Sequence, residues 1–111
     1  MKFLTIAKMK DTASTVPPSV VRQLMEATDA LMAQQKKAGN VLEYYFIPGW
    51  DRVVTISEFK SAEEINQRLC ELPIGGFLDV EVYPLADAFE AMKPYLEALK
   101  AAEKMFPGPP R

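Results

Sequence analysis

Apolar and polar positions change their spacing several times along the chain, and each change marks an element. Residues 2–10 open with the β-favouring Phe3, Thr5 and Ile6 and read as a strand. A polar, Pro-containing connection follows from Asp11 to Ser19. Pro17 and Pro18 stand where a helix begins, because the first helical turn has no backbone hydrogen bond for proline to remove. Val20, Val21, Leu24, Met25, Thr28, Leu31 and Met32 then recur at the spacing of an amphipathic helix. Lys36 and Lys37 complement the negative C-terminal end of that helix, and Gly39-Asn40 supplies a left-handed stop.

Residues 41–47, Val-Leu-Glu-Tyr-Tyr-Phe-Ile, predict a second strand. Pro48-Gly49-Trp50-Asp51 is a turn, Arg52 to Phe59 a third strand, and the two strands form an antiparallel hairpin. Ser61-Ala62-Glu63-Glu64 is a capping box, with Ile65, Leu69 and Leu72 on the buried face of the helix it starts. Pro73 and Gly75-Gly76 end that helix, and residues 78–83 alternate as a fourth strand. The order β-α-β-β-α-β is the ferredoxin-like arrangement of an α+β protein. An extra C-terminal helix follows, capped by Asp87, with an apolar stripe of Leu85, Phe89, Met92, Leu96, Leu99 and Phe106 and a kink or restart at Pro94. The expected organisation is therefore a barrel domain over 1–85, a helical extension over 86–106 and a flexible tail over 107–111.

Two helices cover only one face of such a sheet. Strand alternation places Val80 and Val82 opposite Asp79, Glu81 and Tyr83, and Leu42, Tyr44 and Phe46 opposite Val41, Glu43, Tyr45 and Ile47. Neither side of the second strand is polar enough for water. Exposed apolar faces of this kind mark partner surfaces. Two sheets packed face to face about a two-fold axis would cover them, giving a homodimer or higher homo-oligomer with the C-terminal helix lying across the partner.

Composition narrows the chemistry. The chain has 111 residues, 49% apolar and 25% charged, with 13 basic against 15 acidic side chains and a net charge of −2. This is the balance of one folded domain, and it lacks the basic footprint of a nucleic-acid binder. Histidine is absent and cysteine occurs once, which removes Ser-His-Asp and Cys-His units, a disulfide framework and the usual zinc ligand sets. No secretory leader or membrane span is visible, so a cytoplasmic location is expected.

Several runs carry a resemblance: Thr55-Ile56-Ser57-Glu58-Phe59, Leu69-Cys70-Glu71-Leu72-Pro73-Ile74, Phe77-Leu78-Asp79-Val80-Glu81-Val82, and Leu85. Together with the Gly39 stop and the Ile47-Pro48-Gly49 turn, they resemble the muconolactone delta-isomerase family. The likeness runs without gaps over about residues 37–85 and more loosely back to the first strand, but does not reach the C-terminal helix. It implies a dimeric α+β barrel, able to assemble into rings, that needs no cofactor. The implied reaction shifts a carbon–carbon double bond within a small lactone acid. A base takes a proton next to a carbonyl and returns it two carbons away, while cationic or donor groups hold the carboxylate and the enolate. Where the family's hairpin carries basic and imidazole groups, this chain has Glu43, Tyr45, Phe46 and Trp50.

Glu43, flanked by apolar neighbours, is the sequence candidate for a general base, and Tyr45 for a donor to the enolate. The alternative is that Glu43 faces solvent at a sheet edge or pairs with a partner's cation. Tyr44, Trp50 and Arg52 are the substrate-binding candidates: a cavity-lining hydroxyl, an aromatic lid and a carboxylate grip. Each also reads as packing or as an exposed turn. Asp79 and Glu81 share a strand face and read as structural or interfacial, and Cys70 as a small helix-borne hydrophobe. Two other functions fit the same pattern, a cofactor-free barrel monooxygenase and a non-catalytic protein that binds a small apolar or lactone-type ligand.

Overall fold

In the computed structural model, which describes residues 1–106, 108 and 109, the strands are β1 (Lys2–Met9), β2 (Val41–Ile47), β3 (Arg52–Glu58) and β4 (Leu78–Leu85). The helices are α1 (Pro18–Lys37), α2 (Ala62–Cys70) and α3 (Ala88–Met105). The sheet order is β2-β3-β1-β4, and every neighbouring pair is antiparallel. This is the ferredoxin-like βαββαβ arrangement with one helix added. Short 3₁₀ turns occupy Asp11–Thr15, inside the connection expected to be irregular, and Gly75–Phe77.

The sequence signals act locally as their chemistry requires. Gly39 takes φ 85°, and the N–H groups of Gly39 and Asn40 return to the carbonyls of Lys36 and Gln35. Ser61 Oγ accepts from Glu64 N–H at 3.2 Å, whereas the Glu64 carboxylate reaches back to Lys60 N–H rather than to Ser61. Asp87 Oδ2 accepts from Glu90 N–H at 3.0 Å and starts α3. Two boundaries shift. Leu85 pairs with Lys2 at the end of β4, so it belongs to the sheet and not to the stripe of α3. Pro94 lies inside one uninterrupted helix, since its ring and missing N–H cost one bond in an element of 18 residues.

A bulge re-sorts the faces of β2. Val41 lies opposite Ser57 while Glu43 lies opposite Ile56, so Leu42 is an extra residue and the strict alternation expected for this strand fails there. Val41 and Tyr44 thereby share the helix-covered side with Ser57 and Thr55. Phe3, Phe59 and Ile65 form the buried cluster, with Leu69 and Val82 packed on it. Thr28 Oγ1 accepts from the Ile74 N–H at 3.1 Å, which ties α1 to the α2–β4 connection.

Every residue of α3 is exposed, and its large apolar side chains run from Phe89 at 85% to Met92 at 47%. The radius of gyration is 19.9 Å and the extents are 67 × 30 × 22 Å. A compact chain of this length would have a radius near roughly 13 Å. The excess is a helix standing clear of the domain. Residues 107, 110 and 111 of the tail expected to be flexible lie outside the described residues. Among the described residues no helix is long and apolar enough to cross a membrane.

Candidate active site

Between the sheet and the two helices lies a cavity of about 110 Å³. Dry cavities near ~150 Å³ admit one benzene-sized ring, so a single small ring is the upper limit here. β1, β3 and β4 supply its floor through Thr5, Ala7, Thr55 and Val80. Met25, Leu31 and Met32 of α1 and Leu69 of α2 supply its roof. The wall is mostly apolar, which strengthens any polar interaction made inside it.

Its polar groups are few and fall in two sets. The deep set comprises the hydroxyls of Thr5, Thr28, Thr55 and Ser57, all buried. The second set is half exposed. Arg68 Nη1 lies 3.1 Å from Glu71 Oε2, with both side chains 43% accessible. Among the described residues these are the one cation and the one carboxylate lining the cavity. Tyr44 also lines it, and burial, with the Asp29 charge adding to it, pushes the Tyr44 hydroxyl above its ordinary range. Tyr44 therefore stays a protonated donor at neutral pH.

The five residues singled out from the sequence are divided between two faces. Tyr44 lines the cavity. Glu43 and Tyr45 lie on the opposite, open face, in register with Ile56 and Val54, and the Tyr45 hydroxyl donates to the Glu43 carboxylate. That bond pushes the Tyr45 phenol upward. Arg52 is on the open face as well, its guanidinium carbon 5.6 Å from the centroid of the Trp50 ring, and Trp50 is 67% exposed at the hairpin tip. Cys70, expected as a small hydrophobe beside the buried stripe, is exposed, because it follows Leu69 around the helix into solvent.

Arg68 and Glu71 escaped the sequence reading. The signal was present: Arg68 falls three residues after Ile65, on the same face of α2 as the apolar stripe. A charge on an apolar helix face is a solvated stem unless its head group reaches a cavity, and that of Arg68 does. Among the described residues no cluster of three or more acidic, Cys or His side chains is placed to hold a metal ion.

Three comparisons bear on this architecture. A sequence model of muconolactone delta-isomerase matches residues 1–90, a span that contains every residue lining the cavity and excludes most of α3. A solved muconolactone isomerase superposes with a TM-score of 0.68 at 22% identity, over 78% of this chain and 90% of that one. The 5-chloro-2-hydroxyhydroquinone dehydrochlorinase of Burkholderia phenoliruptrix AC1100, solved with 2,5-dihydroxybenzoquinone, superposes with a TM-score of 0.57 at 14% identity. It covers 81% of this chain and 98% of its own. At these identities the structural likeness concerns the fold. No curated protein matches the chain by sequence.

Proposed function

Because the chain belongs to the muconolactone delta-isomerase family, we propose that it isomerises a small ring-containing acid in the cavity between sheet and helices, without a cofactor. The observation that carries this reading is the convergence of Arg68, Glu71 and Tyr44 on one apolar, ring-sized cavity inside the family-matched span. Arg68 takes the substrate carboxylate. Doing so draws the guanidinium away from Glu71, whose carboxylate is then free to accept the proton next to the substrate carbonyl. The electron pair of that C–H bond moves onto the carbonyl oxygen, and the protonated Tyr44 hydroxyl donates to the resulting enolate. Glu71 returns the proton two carbons away and the double bond shifts. One proton changes carbon, the old C–H pair becomes the new double bond and the old π pair the new C–H bond, and nothing is oxidised or reduced.

The open sheet face supports a homodimer as the working unit. Leu4, Ile6, Val54 and Ile56 form its floor, in register across β1 and β3, and the edge strands flank that floor with Tyr–Glu pairs. A second copy packed face to face removes this surface from water and gives α3 a place to lie.

Chemical-shift mapping with muconolactone tests the site. The proposal expects perturbed signals at Met25, Thr28 and Leu69. Perturbation confined to Leu4, Ile6 and Glu43 would move the site to the open face.

A further inference from the structure

Among the described residues four polar side chains are buried, Thr5, Thr28, Thr55 and Ser57, and all four line the cavity. Thr28 is bonded to the backbone of Ile74, and Thr5 and Thr55 stand directly opposite one another on β1 and β3. Ser57 is different. It is 3% exposed, and its Oγ has no hydrogen-bond partner. Native interiors rarely leave a hydroxyl in that condition, because the group has lost its water and gained nothing in return.

The surroundings define what would complete it. Ser57 shares the helix-covered face of β3 with Thr55 and lies opposite Phe3 and Val41. Arg68 and Glu71, the charged side chains lining the cavity, are half exposed and paired with each other, whereas Ser57 is buried. A carboxylate placed beside Ser57 would be desolvated at a cost that one hydroxyl does not offset, whereas a carbonyl would find a ready O–H. We propose that Ser57 is a specificity-determining residue whose hydroxyl donates to an uncharged ring carbonyl oxygen, so that a cyclic ketone or lactone seats its carbonyl deep and its charge toward Arg68. This rests on the reading of the cavity as the substrate site.

The test uses cyclohexanone and its hydrocarbon isostere methylenecyclohexane as probes, titrated by NMR into wild type and Ser57→Ala. Wild type should bind both in the cavity. Ser57→Ala should weaken cyclohexanone by about 3- to 10-fold, the worth of one neutral hydrogen bond, and leave the hydrocarbon unchanged. The unliganded variant should melt no lower than wild type, because the lost hydroxyl had no partner. Equal effects on the two probes, or none, would overturn the role of Ser57 while leaving the cavity as the site. A lowered melting temperature would do the same. Failure of wild type to bind either probe would overturn both readings.

Discussion

The Tyr45 hydroxyl donates to the Glu43 carboxylate on the face of the sheet that the helices leave open. Tyr83 repeats the arrangement with Glu81, at 3.0 Å, on the other edge strand. The register crosses the sheet as Glu43, Ile56, Leu4, Tyr83 and, one row on, as Tyr45, Val54, Ile6, Glu81. Each apolar row is thus bracketed by one acid and one phenol, in opposite order. That pattern suits a surface meeting its own copy, where the carboxylates keep a donor and the floor is covered.

Glu43→Gln separates an interfacial role from a catalytic one. The amide oxygen still accepts from Tyr45, so the variant should convert a muconolactone-type substrate within about twofold of wild type. General base removal costs about 10²-fold or more, and a loss of that size would place the base on β2.

α3 should matter to assembly more than to the folded domain. Phe89, Met92, Leu96 and Leu99 make its apolar stripe, and none is buried within the chain. Burying each fully is worth roughly 1.5–3 kcal/mol. Light scattering should find full-length protein at or above twice the 12.4 kDa chain mass. Truncation after Ala86 should lower the assembled mass or cause aggregation. A full-length monomer at micromolar concentration would contradict the dimer.

Element order was legible because its signals are local. The Gly39 stop, the Ser61 cap and the Asp87 cap each act within a few residues, and their geometry is seen here. The site was legible only in part, because it depends on register. Leu42 bulges, and that single extra residue decides that Tyr44 meets Thr55 in the cavity while Glu43 meets Ile56 outside it. Nothing in the run Val-Leu-Glu-Tyr-Tyr announces which residue will be skipped. Apolar flanks made Glu43 resemble a buried base, but on a two-sided strand such flanks lie on the other face.

Thr28→Val tests the strut between α1 and the α2–β4 connection. It keeps the shape and strands the buried Ile74 N–H, whose acceptor is Thr28 Oγ1. The expected cost is about 1–3 kcal/mol, seen as a melting temperature lowered by roughly 4–8 °C per kcal/mol. An unchanged melting temperature would show that the bond contributes nothing net.

Three tyrosines set a limit at high pH. Burial foremost raises Tyr44, and hydrogen bonds to Glu43 and Glu81 foremost raise Tyr45 and Tyr83, all from the usual 10.0. A raised value means that the folded state holds the proton more tightly than the unfolded chain. Their contribution is therefore complete below about pH 10 and lost as pH climbs through the folded values. Urea midpoints should fall above that point, and Tyr44→Phe should flatten the fall. An identical pH profile for Tyr44→Phe would show that Tyr44 adds nothing to it.

The claim that the cavity performs proton transfer through Glu71 is tested most directly by deuterium wash-in from D₂O into muconolactone, compared between wild type and Glu71→Gln. Wild type should incorporate deuterium at the carbon next to the carbonyl as the double bond shifts, and Glu71→Gln should do so about 10²-fold more slowly or worse, with Glu43→Gln as the unaffected control. Equal exchange by wild type and Glu71→Gln, or no exchange by wild type, would contradict the account.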